Sequence, residues 1–190
     1  MQDVTFVLLA GGHSRRMGRD KAQLRWQGRT FLHHQAEKAQ ALGAGQILVS
    51  GYRGEDCPWP VVPDVYPERG PLGGMHACFQ AAAHPLCLVL SVDVPLVPKE
   101  LLHQLVQAQR TTGGDAVLAC CEGRWEPLIA VYRADLAGQI EQIIRPGPAP
   151  VRQLVQSCDA RFLPLGPEYR PLLQNCNDPA AYAALLAGQK

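Results

Sequence analysis

No sign of charge dominates this chain: 18 basic residues stand against 17 acidic ones, a formal net charge of +1. That balance excludes a general attraction to nucleic acid or to an anionic membrane, so any affinity for anions must come from a local cluster. No apolar run approaches the length needed to span a bilayer. The N-terminus, Met1-Gln2-Asp3-Val4, carries no basic segment ahead of its short apolar run, which argues against a secretory signal. The expectation is a cytoplasmic protein. Its 7 cysteines are odd in number, include the adjacent pair Cys120-Cys121 and show no C-x-x-C spacing. They read as reduced thiols, not as a disulfide framework or a metal cluster. The 6 histidines form neither H-x-x-x-H nor H-E-x-x-H, so the familiar helical zinc motifs are excluded as well. Repeats and low-complexity tracts are missing.

What is present fits one domain, residues 1–190, with 47% hydrophobic and 18% charged residues, enough for a substantial core without staples. Short apolar runs at 4–9, 47–49, 61–62, 86–90, 116–120 and 128–132 read as strands. Residues 31–42, 98–110 and the segment from the glycine-rich turn 70–74 through Ala83 read as helices. Two amphipathic segments flank the proline-rich loop 145–150, and Asp178-Pro179 opens a final alanine-rich helix ending near Gly188. Strands alternating with helices predict an α/β fold: a three-layer α/β/α arrangement around a mostly parallel sheet. Ligands of such sheets sit beyond the carboxyl ends of the strands. This sequence places Gly11-Gly12, Ser50, Asp64 and Asp93 there.

The first strand empties into Leu9-Ala10-Gly11-Gly12-His13-Ser14-Arg15-Arg16-Met17-Gly18-Arg19-Asp20-Lys21. Glycines at a strand end let backbone N–H groups approach a base or phosphate. Three arginines and a lysine then fall within seven residues, a local cationic cluster suited to a triphosphate. Two other phosphate loops are excluded. A Walker loop needs Gly-Lys followed by Ser or Thr, whereas two residues separate Gly18 from Lys21. A dinucleotide fingerprint needs G-x-G-x-x-G, which this loop lacks. A solvated basic loop is the bland alternative.

The pattern Leu9-Ala10-Gly11-Gly12-x-Ser14-x-Arg16-Met17-Gly18-x-Asp20-Lys21 resembles the signature loop of the molybdenum cofactor guanylyltransferase family, and further ordered motifs extend the resemblance over essentially the whole chain. The resemblance implies a Rossmann-like nucleotidyltransferase (glycosyltransferase-A-like) fold. It also implies transfer of GMP from GTP to the terminal phosphate of Mo-molybdopterin, with Mg²⁺ as cofactor and pyrophosphate released. Asp93, followed by Val94-Pro95, matches the family's metal-binding D-x-P aspartate; capping of the next turn is its structural alternative. By the same resemblance Lys21 and Arg16 are expected to take the leaving-group role, and Leu9, Ala10, Gly11, Gly12, Lys21, Ser50, Asp64 and Asp93 to line the nucleotide. Ser50 stands where relatives often carry asparagine, and Asp64 precedes Gly70-Pro71-Leu72-Gly73-Gly74-Met75, similar to the family's G-P-L-x-G-M.

Trp125-Glu126-Pro127 lies where the family often shows His-Pro, so Glu126 is a departure. Asn175-Cys176-Asn177-Asp178-Pro179 resembles N-x-N-T-P, and alternation puts both asparagines on one face, able to reach metal, phosphates or pterin. Helix capping by Asn177 or Asp178 is the competing use. The related cytidylyltransferases usually show L-A-A-G at the loop; the second glycine here leaves room for a purine. Partners implied are GTP, Mo-molybdopterin and molybdoenzymes or other cofactor-biosynthesis proteins, with no nucleic acid and no membrane. CTP, a sugar phosphate, or non-catalytic binding of GTP or cofactor remain as alternatives.

Overall fold

A computed structural model of the chain describes residues 1–11, 20–54 and 57–188. Strand β1 (Val4–Leu9) is buried along its whole length and pairs in parallel with β4 (Gln46–Ser50) and β6 (Leu86–Ser91). Its apolar, β-branched run suits a strand covered on both faces. Between β1 and β4 come a small antiparallel hairpin, β2 (Arg25–Trp26) and β3 (Arg29–Thr30), and helix α1 (Phe31–Ala41). The Thr30 hydroxyl accepts from the His33 amide at 3.2 Å, capping α1. Beyond β5 (Val61–Val62), helix α2 (Pro71–Ala81) leads into β6, and α3 (Lys99–Thr112) follows. Gly113, at φ 67°, ends α3 in the left-handed conformation that favours glycine.

The second half supplies β7 (Ala116–Cys121), β8 (Arg124–Arg133), α4 (Ala137–Ile144), α5 (Val151–Ser157), β9 (Ala160–Leu165) and α6 (Pro179–Ala187). The main sheet among the described residues has strand order β5-β4-β1-β6-β8-β7-β9. β8 runs antiparallel to both of its neighbours; the other ladders are parallel. The sheet is therefore mostly parallel, as expected.

Alternation along the strands builds two cores. Phe6, Leu8, Leu88, Leu90 and Val131 pack with Phe31 and Leu32 of α1 and Leu101 and Leu105 of α3, and α6 covers the same face. Val7, Val89, Ala130 and Tyr132 pack with Met75 of α2, Ile140 of α4 and Leu154 of α5. Helices on both faces of one sheet make the three-layer α/β/α architecture. All seven cysteines are free thiols, and burial pushes the Cys78 and Cys87 thiols up to about 12, which leaves them unreactive near neutrality. No described helix is long and apolar enough to cross a membrane.

Several boundaries differ from the expectation. β8 begins at Arg124 instead of residue 128, Pro98 lies just outside α3, and α2 ends at Ala81. The hairpin β2–β3 and the edge strand β9 were not anticipated.

Candidate active site

The carboxyl ends of β1, β4 and β6 lie side by side, and main-chain bonds bind them into one rim. Ala10 N donates to Ser50 O at 2.8 Å, and Val92 N donates to Leu9 O at 3.1 Å. Gly11 and Gly51 then meet backbone to backbone. A Cβ added to Gly51, which sits at φ 74°, would lie 2.4 Å from Gly11 Cα. Glycine is required by both the conformation and the contact. Gly51→Ala is expected to cost about 3 kcal/mol, from left-handed strain plus overlap. Urea denaturation checks this; a loss below ~1 kcal/mol would mean that the rim yields easily.

On the α2 side of the rim, the Ser50 hydroxyl donates to Asp64 Oδ1 at 3.2 Å. Ser50 is only 4% exposed, and a Cβ on Gly74 would come within 2.2 Å of its hydroxyl oxygen. The glycine pair of α2 thus lets the helix start against Ser50 and Asp64. Ser50 holds Asp64 in place, with its own hydroxyl already engaged.

On the opposite side of the rim, Lys21 Nζ donates to Asp93 Oδ2 at 2.9 Å and also to Asn177 Oδ1. Ser91 Oγ donates to Asp93 Oδ1 at 2.6 Å. Each partner reaches this point for a local reason. The Asp20 side chain caps the short turn Lys21–Gln23, while Ala22 and Leu24 anchor it in the core. Asp93 follows the buried strand β6 and is itself 8% exposed. Cys176 N donates to Asp93 O at 2.7 Å, and Cys176 is buried. Alternation therefore turns Asn175 and Asn177 outward together. The side chain that caps α6 is Asp178, accepting from Ala181 N at 2.8 Å, which leaves Asn177 to Lys21.

The turn carrying Asp93 is braced from behind. Gln35 of α1, fully buried, donates through Nε2 to Val94 O at 2.8 Å and Ser91 O at 3.3 Å. Lys38 Nζ donates to Pro95 O at 2.7 Å and Gln35 Oε1 at 2.9 Å. Burial lowers the Lys38 pKa to about 8. Sequence reasoning missed both residues. For Gln35 the signal was available: it falls in the apolar stripe of an otherwise amphipathic helix, where a polar side chain needs a partner.

A cleft of about 370 Å³ opens beside the Lys21–Asp93 pair, lined among others by Glu122, Arg124, Glu126, Arg170, Asn175 and Asn177. Arg170 pairs with Glu122 at 3.3 Å. Burial raises the pKa of Glu126, against a lowering by the neighbouring Arg124 guanidinium. Of the residues singled out from the sequence, Leu9, Ala10, Gly11, Lys21, Ser50, Asp64, Asp93, Asn175 and Asn177 gather on the carboxyl side of the sheet. Gly12, Arg15 and Arg16 lie outside the described residues. Among the described residues no group of three or more His, Cys, Asp or Glu side chains could hold a metal alone. Asp93 and Asn177, however, turn two hard oxygens onto one cation, the Lys21 ammonium, and such a donor pair suits a divalent cation completed by phosphate oxygens.

A sequence model of the MobA-like NTP transferase domain matches residues 6–162. A molybdenum cofactor guanylyltransferase from Pseudomonas aeruginosa is 34% identical over 185 residues, 94% of this chain and 92% of that protein. Among solved structures, molybdopterin-guanine dinucleotide biosynthesis protein A from Archaeoglobus fulgidus superposes with a TM-score of 0.80 at 21% identity, covering 96% of this chain and 97% of that one. A Mycobacterium tuberculosis protein solved in complex with manganese superposes at 0.70 with 17% identity, covering 97% and 98%. These likenesses agree with the nucleotidyltransferase fold expected from the opening motif.

Proposed function

The chain belongs to the family of MobA-like NTP transferase domains that includes the molybdenum cofactor guanylyltransferases, and from that premise we propose that it transfers GMP from GTP to the terminal phosphate of Mo-molybdopterin, releasing pyrophosphate. The observation that carries this reading is the Lys21–Asp93–Asn177 contact, which lies between two differently built halves of the sheet edge. On the β1–β4–β5 side, small residues and the Ser50–Asp64 pair leave room for a nucleotide base and ribose. On the β8–β7–β9 side lies the polar cleft, which suits an acceptor. The phosphates of the two substrates would meet at Asp93.

The attacking group, a phosphate monoester, is largely ionised at neutral pH. It needs no general base, in keeping with a site built from lysine, aspartate and amides. Catalysis then rests on positioning and on neutralising charge. We assign Lys21, with Arg16, to the charge that builds on the departing pyrophosphate. Leu9, Ala10, Gly11 and Gly12 form the base and phosphate cradle, and Asp64, oriented by Ser50, contacts the nucleoside. Asp93, with Asn177 beside it, would hold Mg²⁺, which supplies screening between the two anionic substrates. Asn175 faces the acceptor. Residues 1–190 act as one domain, in a cytoplasmic setting that keeps the thiols reduced, and hand the product to molybdoenzymes or to other cofactor-biosynthesis proteins.

The test supplies Mo-molybdopterin, Mg²⁺ and either GTP or CTP, and quantifies dinucleotide and pyrophosphate. Guanine dinucleotide is expected, with CTP used at least about tenfold less efficiently. Preferential cytosine product would overturn the base assignment, and GTP binding without pyrophosphate release would make the protein a carrier instead of an enzyme.

A further inference from the structure

We propose that Glu126 is a specificity-determining residue for the acceptor, its carboxylate taking the paired N–H donors of a 2-amino-4-oxopyrimidine ring at the pterin end. This rests on the acceptor reading of the cleft. The first support is how β8 is built. Its pairing with β7 steps from Leu118↔Ala130 to Ala119↔Glu126, so residues 127–129 bulge out of register. Its pairing with β6 ends at Leu90↔Ile129. Beyond the bulge, residues 124–126 stay with β7 and part from β6, and the sheet edge opens there. The Tyr132 hydroxyl, on a fully buried ring, pins the bulge by donating to Pro127 O at 2.8 Å. Pro127 has no N–H to lose there. Bulges of this kind re-aim side chains beside active sites.

The second support is the state of the carboxylate. Alternation sends Trp125 toward α5, where the Arg152 guanidinium lies 5.3 Å from its ring centre. Arg124 and Glu126 take the other face and line the cleft. The cleft's other carboxylate, Glu122, is already paired with Arg170. Glu126 is half-buried; among the described residues no side-chain or main-chain N–H donates to it, and the Arg124 guanidinium on the same face attracts it without closing an ion pair. A carboxylate partly withdrawn from water without a hydrogen-bond donor carries a desolvation cost, and a ligand with two parallel N–H groups would relieve it. An ionised carboxylate offers only acceptors, which match the adjacent ring N–H and exocyclic amino group of such a ring and oppose a 2-oxo analogue. Guanine carries the same donor edge, so the source must be separated by experiment.

Wild-type protein, Glu126→Gln and Glu126→Ala are compared with acceptor and GTP varied independently, after thermal melts establish that all three fold. Both variants should raise the acceptor KM about tenfold or more, the loss of a charge-assisted contact, while the GTP KM stays within about twofold of wild type. Fluorescence titration with a simple pterin and its 2-oxo analogue, without nucleotide, should show a preference of about tenfold for the amino form in the wild type and none in either variant. A shift in GTP KM alone would place guanine at Glu126 and overturn the proposal, as would an unchanged acceptor KM. If the wild type makes no dinucleotide, the acceptor reading falls and this assignment with it. Normal product formation with unaltered variant kinetics would sink this assignment alone.

Discussion

Asp93→Ala is expected to lower turnover by two to three orders of magnitude, about 3 to 4 kcal/mol of lost charge stabilisation in the transition state, while the protein stays folded. Asp93 holds its place through three contacts: the Ser91 hydroxyl at 2.6 Å, the Lys21 ammonium at 2.9 Å and, through its main chain, Cys176 N at 2.7 Å. The main-chain contact survives the substitution, and Gln35 and Lys38 still brace the turn from behind. The fold therefore loses one partly buried ion pair and the Ser91 hydrogen bond, while the site loses the carboxylate at the end of β6. Raising Mg²⁺ should recover a small part of the activity, because Asn177 and the substrate phosphates would remain as the ligands proposed for it. Steady-state rates across a Mg²⁺ series, beside a thermal melt, check this. Turnover within about threefold of wild type at ordinary Mg²⁺ would remove Asp93 from the reacting centre.

Lys21→Ala should lower kcat about a hundredfold and leave GTP binding within roughly tenfold, since the phosphate contacts proposed for Gly11 and Gly12 do not depend on its ammonium. Lys21→Arg should restore only part of the rate. A guanidinium keeps the charge, but its planar fork does not reproduce a compact ammonium reaching two oxygens at once. Because Lys21 and Asp93 touch, the double variant should cost less than the product of the two single losses. Independent, fully multiplicative effects would show that the contact has no part in turnover. Rapid-quench measurement of pyrophosphate, together with GTP binding, separates the chemical step from ground-state affinity.

Much of the architecture was legible because it depends on local pattern. The run Val4–Leu9 reads as a strand covered on both faces, and Asp178-Pro179 opens a helix whose cap the sequence left between Asn177 and Asp178 and the structure gives to Asp178. The strands that escaped notice are those whose stabilisation is not local. β9 is an edge strand with Phe162 47% exposed and Arg161 and Pro164 within it, so it has no clean alternation to read. The start of β8, Arg124-Trp125-Glu126-Pro127, mixes charge and proline because it borders a cleft and carries a bulge. The hairpin β2–β3 is only two residues per strand, too short for a period.

Sequence alone determined which chemical groups the proposed site draws on: a glycine-rich cationic loop, one aspartate after a buried strand, and two asparagines a residue apart. Such groups announce themselves because their spacing is local and their charge stands out from a nearly neutral chain. Only the tertiary structure decided which of them meet. Lys21 and Asn177 are separated by 156 positions yet share a hydrogen bond, and Gln35 braces a turn nearly sixty residues away. Glu126 owes its place in the cleft to a three-residue slip between β7 and β8. Those meetings follow from strand order and register, which depend on how whole elements pack, and no single segment of the chain encodes them.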